Sequence, residues 1–174
     1  MNITMIACVT SDMYIGCHNN LLISLKPDMN HFKQVTMGHI VVMGKNTYLS
    51  LPDRKPLPGR TNVIISSTME NAPEGFLLYH AIDEFLHAYD EYKDEIFIIG
   101  GSKIYDAFMP YARKIILTHV HRTLGELDIN YSSLVKFPDS ICKYNWDMLK
   151  SVDECCLHER YGLVHYNFLT LTRR

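Results

Sequence analysis

The sequence is short of most features that announce a class. No uninterrupted apolar run approaches the roughly 20 residues of a membrane span, so none is expected. No charge sign dominates: 17 Lys plus Arg stand against 19 Asp plus Glu, a net charge of -2. That balance argues against nucleic-acid or anionic-membrane binding through bulk charge, while leaving room for a local basic pocket. The five cysteines form no Cys-x-x-Cys pair and are odd in number, which speaks against a disulfide framework or a zinc ribbon. His119 and His121 have same-face spacing, but two ligands do not make a metal site, and no metal is expected. The stretch Met1 to Val9 carries no Lys or Arg ahead of its apolar residues and does not read as a signal peptide, so a cytoplasmic protein is expected. Repeats, low-complexity tracts and linker composition are missing too. One domain over residues 1–174 is the expectation.

What is present is an apolar share of 47% against 21% charged residues, enough for a real core and too much for disorder. Strand-like and helix-like stretches alternate. Ile3 to Val9, His39 to Met43, Thr61 to Ser66, Glu95 to Ile99 and Lys114 to Val120 read as strands, most of them continuous apolar runs of the buried kind. Between them, Asp28 to Thr36 reads as a helix entered through Pro27, and Lys45 to Leu51 as a short one. Ile82, Phe85, Leu86 and Tyr89 mark an amphipathic helix, and Ser102 to Met109 another, stopped by Pro110. The three prolines and Asp53 between Pro52 and Pro58 read as a loop rather than an element. Ser151 to His158 and Leu163 to Leu171 alternate around Tyr161-Gly162 as an antiparallel hairpin. The expected fold is α/β: a mixed, mostly parallel twisted sheet of about eight strands flanked by helices, with a C-terminal antiparallel hairpin.

In an open α/β sheet, ligands bind outside the carboxyl ends of the strands. Three segments put chemistry there, and a fourth precedes a strand. Asp28 shares a helical face with Phe32 and Val35, which points a carboxylate toward apolar surroundings. Such an acid either serves the helix dipole or accepts two hydrogen bonds from a planar, amidine-like ligand edge; burial would raise its pKa and a cation would lower it. Gly44-Lys45-Asn46-Thr47 and Ile98-Ile99-Gly100-Gly101-Ser102 are strand ends running into helix N-termini, where free N–H groups can hold phosphate. Each is also an ordinary tight turn, and neither is the six-residue dinucleotide fingerprint. Leu57-Pro58-Gly59-Arg60 places an arginine before a buried strand, either solvated or paired with a ligand carboxylate.

In this order and spacing the segments resemble dihydrofolate reductase over nearly the whole chain. The resemblance rests on Ile15-Gly16 followed by Asn19, Asp28…Phe32-Lys33…Thr36, Val42 to Thr47, Leu57 to Arg60, and Ile98 to Gly101 with Ile104-Tyr105. It implies that Asp28 is the active-site acid, which binds the pterin and promotes protonation of its imine nitrogen. It implies a folate site walled by Met5, Ala7, Phe32, Leu51, Leu57, Ile99 and Thr118, with Thr118 hydrogen-bonded to the acid and Arg60 on the folate glutamate. NADPH would be held by Ala7, Ile15, Gly16, Asn19, Leu21, Gly44, Lys45, Asn46, Thr47, Ser66, Ser67, His80 and the run Gly100, Gly101, Ser102, Lys103, Ile104, Tyr105. Gly100-Gly101 would be joined by a cis peptide. Ile15 to Asn20 would be a mobile loop, with Asp128 an acid that contacts it. A monomer acting on a small molecule, dihydrofolate, is implied, with no nucleic-acid or membrane partner.

Three departures from the family pattern stand out, one of them Leu127-Asp128 where the family usually has a Gly-Asp pair. Ile23 occupies the place of a tryptophan whose indole N–H normally helps organise water near the pterin, and Lys26-Pro27 before the acid is unusual, with Lys26 expected to lower the pKa of Asp28. Two other functions stay open: a same-fold NADPH reductase of another pterin or a pyrimidine intermediate, and a folate- or nucleotide-binding protein without turnover.

Overall fold

A computed structural model describes residues 1–127 and 132–174. In chain order the strands and helices are β1 (Asn2–Thr10), β2 (Tyr14–Cys17), β3 (Asn20–Leu21), α1 (Lys26–Thr36), β4 (Ile40–Gly44), α2 (Lys45–Ser50), β5 (Thr61–Ile65), β6 (Phe76–Tyr79), α3 (Ile82–Ala88), β7 (Glu95–Gly100), α4 (Ser102–Phe108), β8 (Ala112–Val120), β9 (Leu134–Lys136), β10 (Trp146–His158) and β11 (Gly162–Arg173). Eight strands form one sheet in the order β10-β11-β8-β1-β7-β4-β5-β6. The pairs from β8 to β6 are parallel, whereas β11 on β8 and β10 on β11 are antiparallel. The mixed sheet and its terminal hairpin are those the sequence predicts.

The central strands β1, β4 and β7 explain their own composition. They are covered on both faces, so Ile40-Val41-Val42-Met43 is buried without interruption and shows no alternation. One apolar cluster, with Ile3, Met5, Val42, Ile98 and Phe108, fills one face of the sheet; another, with Ile6, Val41, Met43, Ile64 and Phe97, fills the opposite one. β-Branched residues suit these pleated, fully packed positions.

Three parts differ from the sequence reading. β6 is a fourth-neighbour edge strand that the pattern did not reveal: Phe76 is its one buried residue, so the run is too short to show a period. A second sheet, β3-β2-β9, joins the Tyr14–Leu21 segment to Leu134–Lys136. Its strands of two to four residues fall below the length at which alternation can be read. The Pro52 to Pro58 stretch also contains one 3-10 turn, Pro52–Arg54, with Asp53 and Arg54 at positive φ.

Candidate active site

The carboxyl edges of β1, β4, β5 and β7 open on a cavity of about 850 Å³. Two strand-to-helix turns frame it. β4 ends at Gly44 and enters α2, and β7 ends at Gly100 and enters α4, so the first turns of both helices border the space. Close packing dictates the glycines. A Cβ on Gly44 would stand 2.9 Å from Ile104 Cγ1, and one on Gly100, whose φ is +111°, would stand 3.0 Å from the Tyr105 ring. The Gly100–Gly101 peptide is cis. Tyr105 is held behind it by a 2.7 Å hydrogen bond donated to the carbonyl of Ile6.

The far end of the cavity is polar. Lys45 Nζ lies 3.4 Å from Thr68 Oγ1, and His80 Nδ1 lies 3.2 Å from the carbonyl oxygen of Ser66. The His80 backbone N–H donates to Glu84 at 2.9 Å, which fixes the start of α3. The near side is closed by Ile15, Gly16, Asn19 and Leu21, and by Leu134 to Lys136 of the small sheet. Lys45, two serines, a threonine and two helix starts form a donor-rich, cationic lining of the kind that suits a phosphorylated ligand.

Beside this cavity stands Asp28. It lies in the first turn of α1, where an acid favours the helix dipole, yet it is 8% exposed. Thr118 of β8 donates a 2.5 Å hydrogen bond to its Oδ1. Burial pushes the Asp28 carboxyl above the usual carboxylate range, while the Thr118 hydroxyl and the His31 imidazole pull it back down. The cation that bears on Asp28 is thus His31 rather than Lys26, whose side chain is exposed at the helix start. Next to the acid, Phe32, Leu51, Leu57 and Ile99 are half-buried against the cluster around Ile6 and Val41, an apolar wall for a flat ligand.

Arg60 closes the outer end of this wall. Its Nη1 donates to Thr36 Oγ1 at 3.3 Å and its Nε to the carbonyl of Pro58 at 3.0 Å. Burial lowers its pKa, but a guanidinium stays charged. The turn that carries it is clamped by Asn62, 3% exposed, which accepts from Leu57 N–H and donates to the carbonyls of Leu57 and Arg60, each at 3.0 Å. Sequence reasoning passed over Asn62, although an amide inside an apolar strand signals a satisfied buried group.

All the residues expected around a cofactor line the cavity: Ala7, Ile15, Gly16, Asn19, Leu21, Gly44 to Thr47, Ser66, Ser67, His80 and Gly100 to Tyr105. Ala7 and Ile99 border it from the acid's side. Met5 is a correction: it is 0% exposed inside the core and presents nothing to a ligand. Ile6, one residue on, packs with the apolar wall instead. A strand buried on both faces shows no alternation, so the sequence did not reveal which parity faces the site. Cys8, Thr68 and Lys136 line the cavity without having been expected there, and Asp128 lies outside the described residues. Ile23, 4% exposed, is packed among Leu22, Leu25, Val120 and Tyr166.

The layout is that of an open-sheet α/β enzyme with its cleft at the carboxyl edge and one buried acid beside it. Comparison with known proteins is specific. The family model "Dihydrofolate reductase" matches residues 2–155. The dihydrofolate reductase of Buchnera aphidicola is 39% identical over 120 residues, 69% of this chain and 73% of that protein. That of Schistosoma mansoni is 32% identical over 168 residues, 88% and 84% of the two chains. A solved structure, dihydrofolate reductase from Enterococcus faecalis complexed with NADP(H) and RAB-propyl, matches with a TM-score of 0.85 at 24% identity, covering 99% of this chain and 96% of the other. The chain belongs to the dihydrofolate reductase family.

Proposed function

We propose that this protein reduces 7,8-dihydrofolate to 5,6,7,8-tetrahydrofolate with NADPH, as one domain acting alone in the cytosol. The observation that carries the reading is Asp28: a carboxylate buried in an apolar wall, with a hydroxyl donor from Thr118, beside a cavity suited to a phosphorylated dinucleotide. The names of the family's members and the cofactor in the Enterococcus faecalis complex support it.

Bound NADPH supplies a hydride, and the pterin carbon beside the imine nitrogen accepts it readily only when that nitrogen carries a proton. Asp28 accepts the amino and ring N–H groups of the pterin through its two oxygens, and its negative charge raises the basicity of the ring. Thr118 keeps the carboxyl oriented by occupying Oδ1. Phe32, Leu51, Leu57 and Ile99 exclude water along the pterin face, which strengthens the charge–dipole interaction. Arg60, held by Pro58 and Thr36, pairs with the carboxylate of the glutamate tail. Lys45 favours NADPH over NADH through the 2′-phosphate, a charge-assisted contact worth about 1.5–3 kcal/mol. With Ile23 at the tryptophan position, no indole N–H contributes from that side, so proton delivery relies on Asp28 and its neighbours.

NADPH oxidation followed at 340 nm tests the proposal. Acceleration by dihydrofolate, abolished in Asp28→Asn, is the expected result. Folate binding without dihydrofolate-dependent oxidation would replace it with a binding protein, and preference for another pterin would replace the substrate.

A further inference from the structure

We propose that His31 is a positioning residue for the active-site acid: held between α1 and the C-terminal hairpin, its imidazole sets how much of Asp28 is ionised as the pH falls. The inference rests on the reading of Asp28 above and deepens it. His31 follows Asp28 by three positions on α1, so the two side chains share a face. Its ring lies 4.3 Å from that of Phe168 at a 40° tilt. Phe168 is paired directly with Thr118, the donor to Asp28, in the register of β11 on β8. The imidazole, the phenyl ring, the hydroxyl and the carboxyl thus form one contiguous group.

His31 Nε2 is buried and has no hydrogen-bond partner among the described residues. A phenylalanine or leucine would fill this place against Phe168 without leaving a polar atom unsatisfied. What an imidazole adds is charge. Burial pushes the His31 imidazole down from its ordinary value; the Asp28 charge holds it up, and Lys150 of β10 adds to the lowering. Asp28 moves the opposite way, and the charge of each group favours the charged form of the other.

Apart from Lys150, the groups facing the pair among the described residues are neutral in acid. Burial, helped by Asp28, holds the Cys8 thiol of β1 and the Tyr105 phenol of α4 well up, and Tyr166 of β11 is pushed up to about 12, chiefly by burial. An imidazolium at His31 therefore keeps Asp28 ionised to lower pH than burial alone would allow.

The test is a carbon and proton NMR titration of the unliganded protein, which needs no turnover. It follows the Asp28 carboxyl carbon and the His31 ring in the parent, in His31→Phe and His31→Gln, and in Asp28→Asn. Loss of the charge should raise the Asp28 midpoint by about one pH unit in both His31 variants, and Asp28→Asn should lower that of His31. The pH profile of single-turnover hydride transfer should move with the Asp28 midpoint. Restoration of the parent midpoint by His31→Phe would mean that the ring only packs, and would overturn the proposal. So would a His31 midpoint unchanged in Asp28→Asn, a reading that stands even if the His31 variants do not fold. Reciprocal shifts in a protein that does not oxidise NADPH with dihydrofolate would keep the coupled pair and reject the substrate.

Discussion

Opposite edges of one sheet flank two carboxylates in opposite states, part-buried Glu95 on β7 and buried Asp28 on α1. At the amino edge, Glu95 at the start of β7 accepts from Thr4 at 2.5 Å and from Lys114 at 2.6 Å, which ties β7, β1 and β8 together. Burial would raise its pKa, but these two donors outweigh it and hold the carboxyl low. At the carboxyl edge, Asp28 has one hydroxyl donor and a half-buried imidazole nearby, and burial wins. Glu95 is compensated within the protein; Asp28 is left with capacity for further hydrogen bonds in an apolar setting. A folded chain carries an under-compensated buried acid at a cost, and such acids mark sites where a ligand completes the set.

The comparison can be broken by experiment. The largest expected effect is on turnover: Asp28→Asn at neutral pH should lower kcat by about 10²–10⁴-fold, the range of positioned acid–base groups, while Glu95→Gln should leave it within a few-fold. Equal losses in steady-state assays would erase the distinction between the two ends. Next is Gly100→Ala. With φ at +111° and the Tyr105 ring 3.0 Å from the new Cβ, it should cost about 2–3 kcal/mol or more in denaturant melts, through steric strain.

Smaller effects separate the carboxylates by pH. Glu95 has its folded pKa below its unfolded one, so its stabilisation is present above about 4.5, the unfolded value, and is lost as pH falls through the folded value. Glu95→Gln should therefore cost about 1 kcal/mol at pH 7 and nothing at low pH, since the pair is part exposed. Asp28 has its folded pKa above its unfolded one. The folded protein then binds more protons in that window, and stability falls as pH rises through it. Asp28→Asn should melt higher than the parent at pH 7, with the gain vanishing in acid. Melting temperatures across pH 3.5–8 that run parallel for both variants would contradict the opposed shifts. Smallest is Asn62→Leu, which frees the Arg60 turn and should raise the KM for dihydrofolate about threefold with kcat nearly kept.

The parts of the molecule legible in the sequence are those where one force dominates. Long, doubly covered strands declare themselves as apolar runs, and the hairpin by its alternation around Gly162. The cavity wall was readable because strand, glycine and helix start follow one another at Gly44 and Gly100, where close packing leaves no room for a Cβ. Where the pattern was silent, the physics was two-sided or small. Met5 and Ile6 are equally apolar and both buried, so only the fold separates the one in the core from the one at the site. β9 joins β2 through a few backbone pairings between segments more than 110 residues apart, which no local signal encodes. The ring contact of His31 depends on where β11 places Phe168, which spacing along α1 does not reveal.

The most direct measurement is the pH dependence of hydride transfer in Asp28→Asn, taken by single-turnover oxidation of bound NADPH with dihydrofolate. The account predicts a rate that is far below the parent at pH 7 and climbs steeply toward acid, where the substrate arrives already protonated and needs the carboxylate less. A variant whose rate stays flat with pH, or matches the parent at pH 7, would show that Asp28 does not manage the proton.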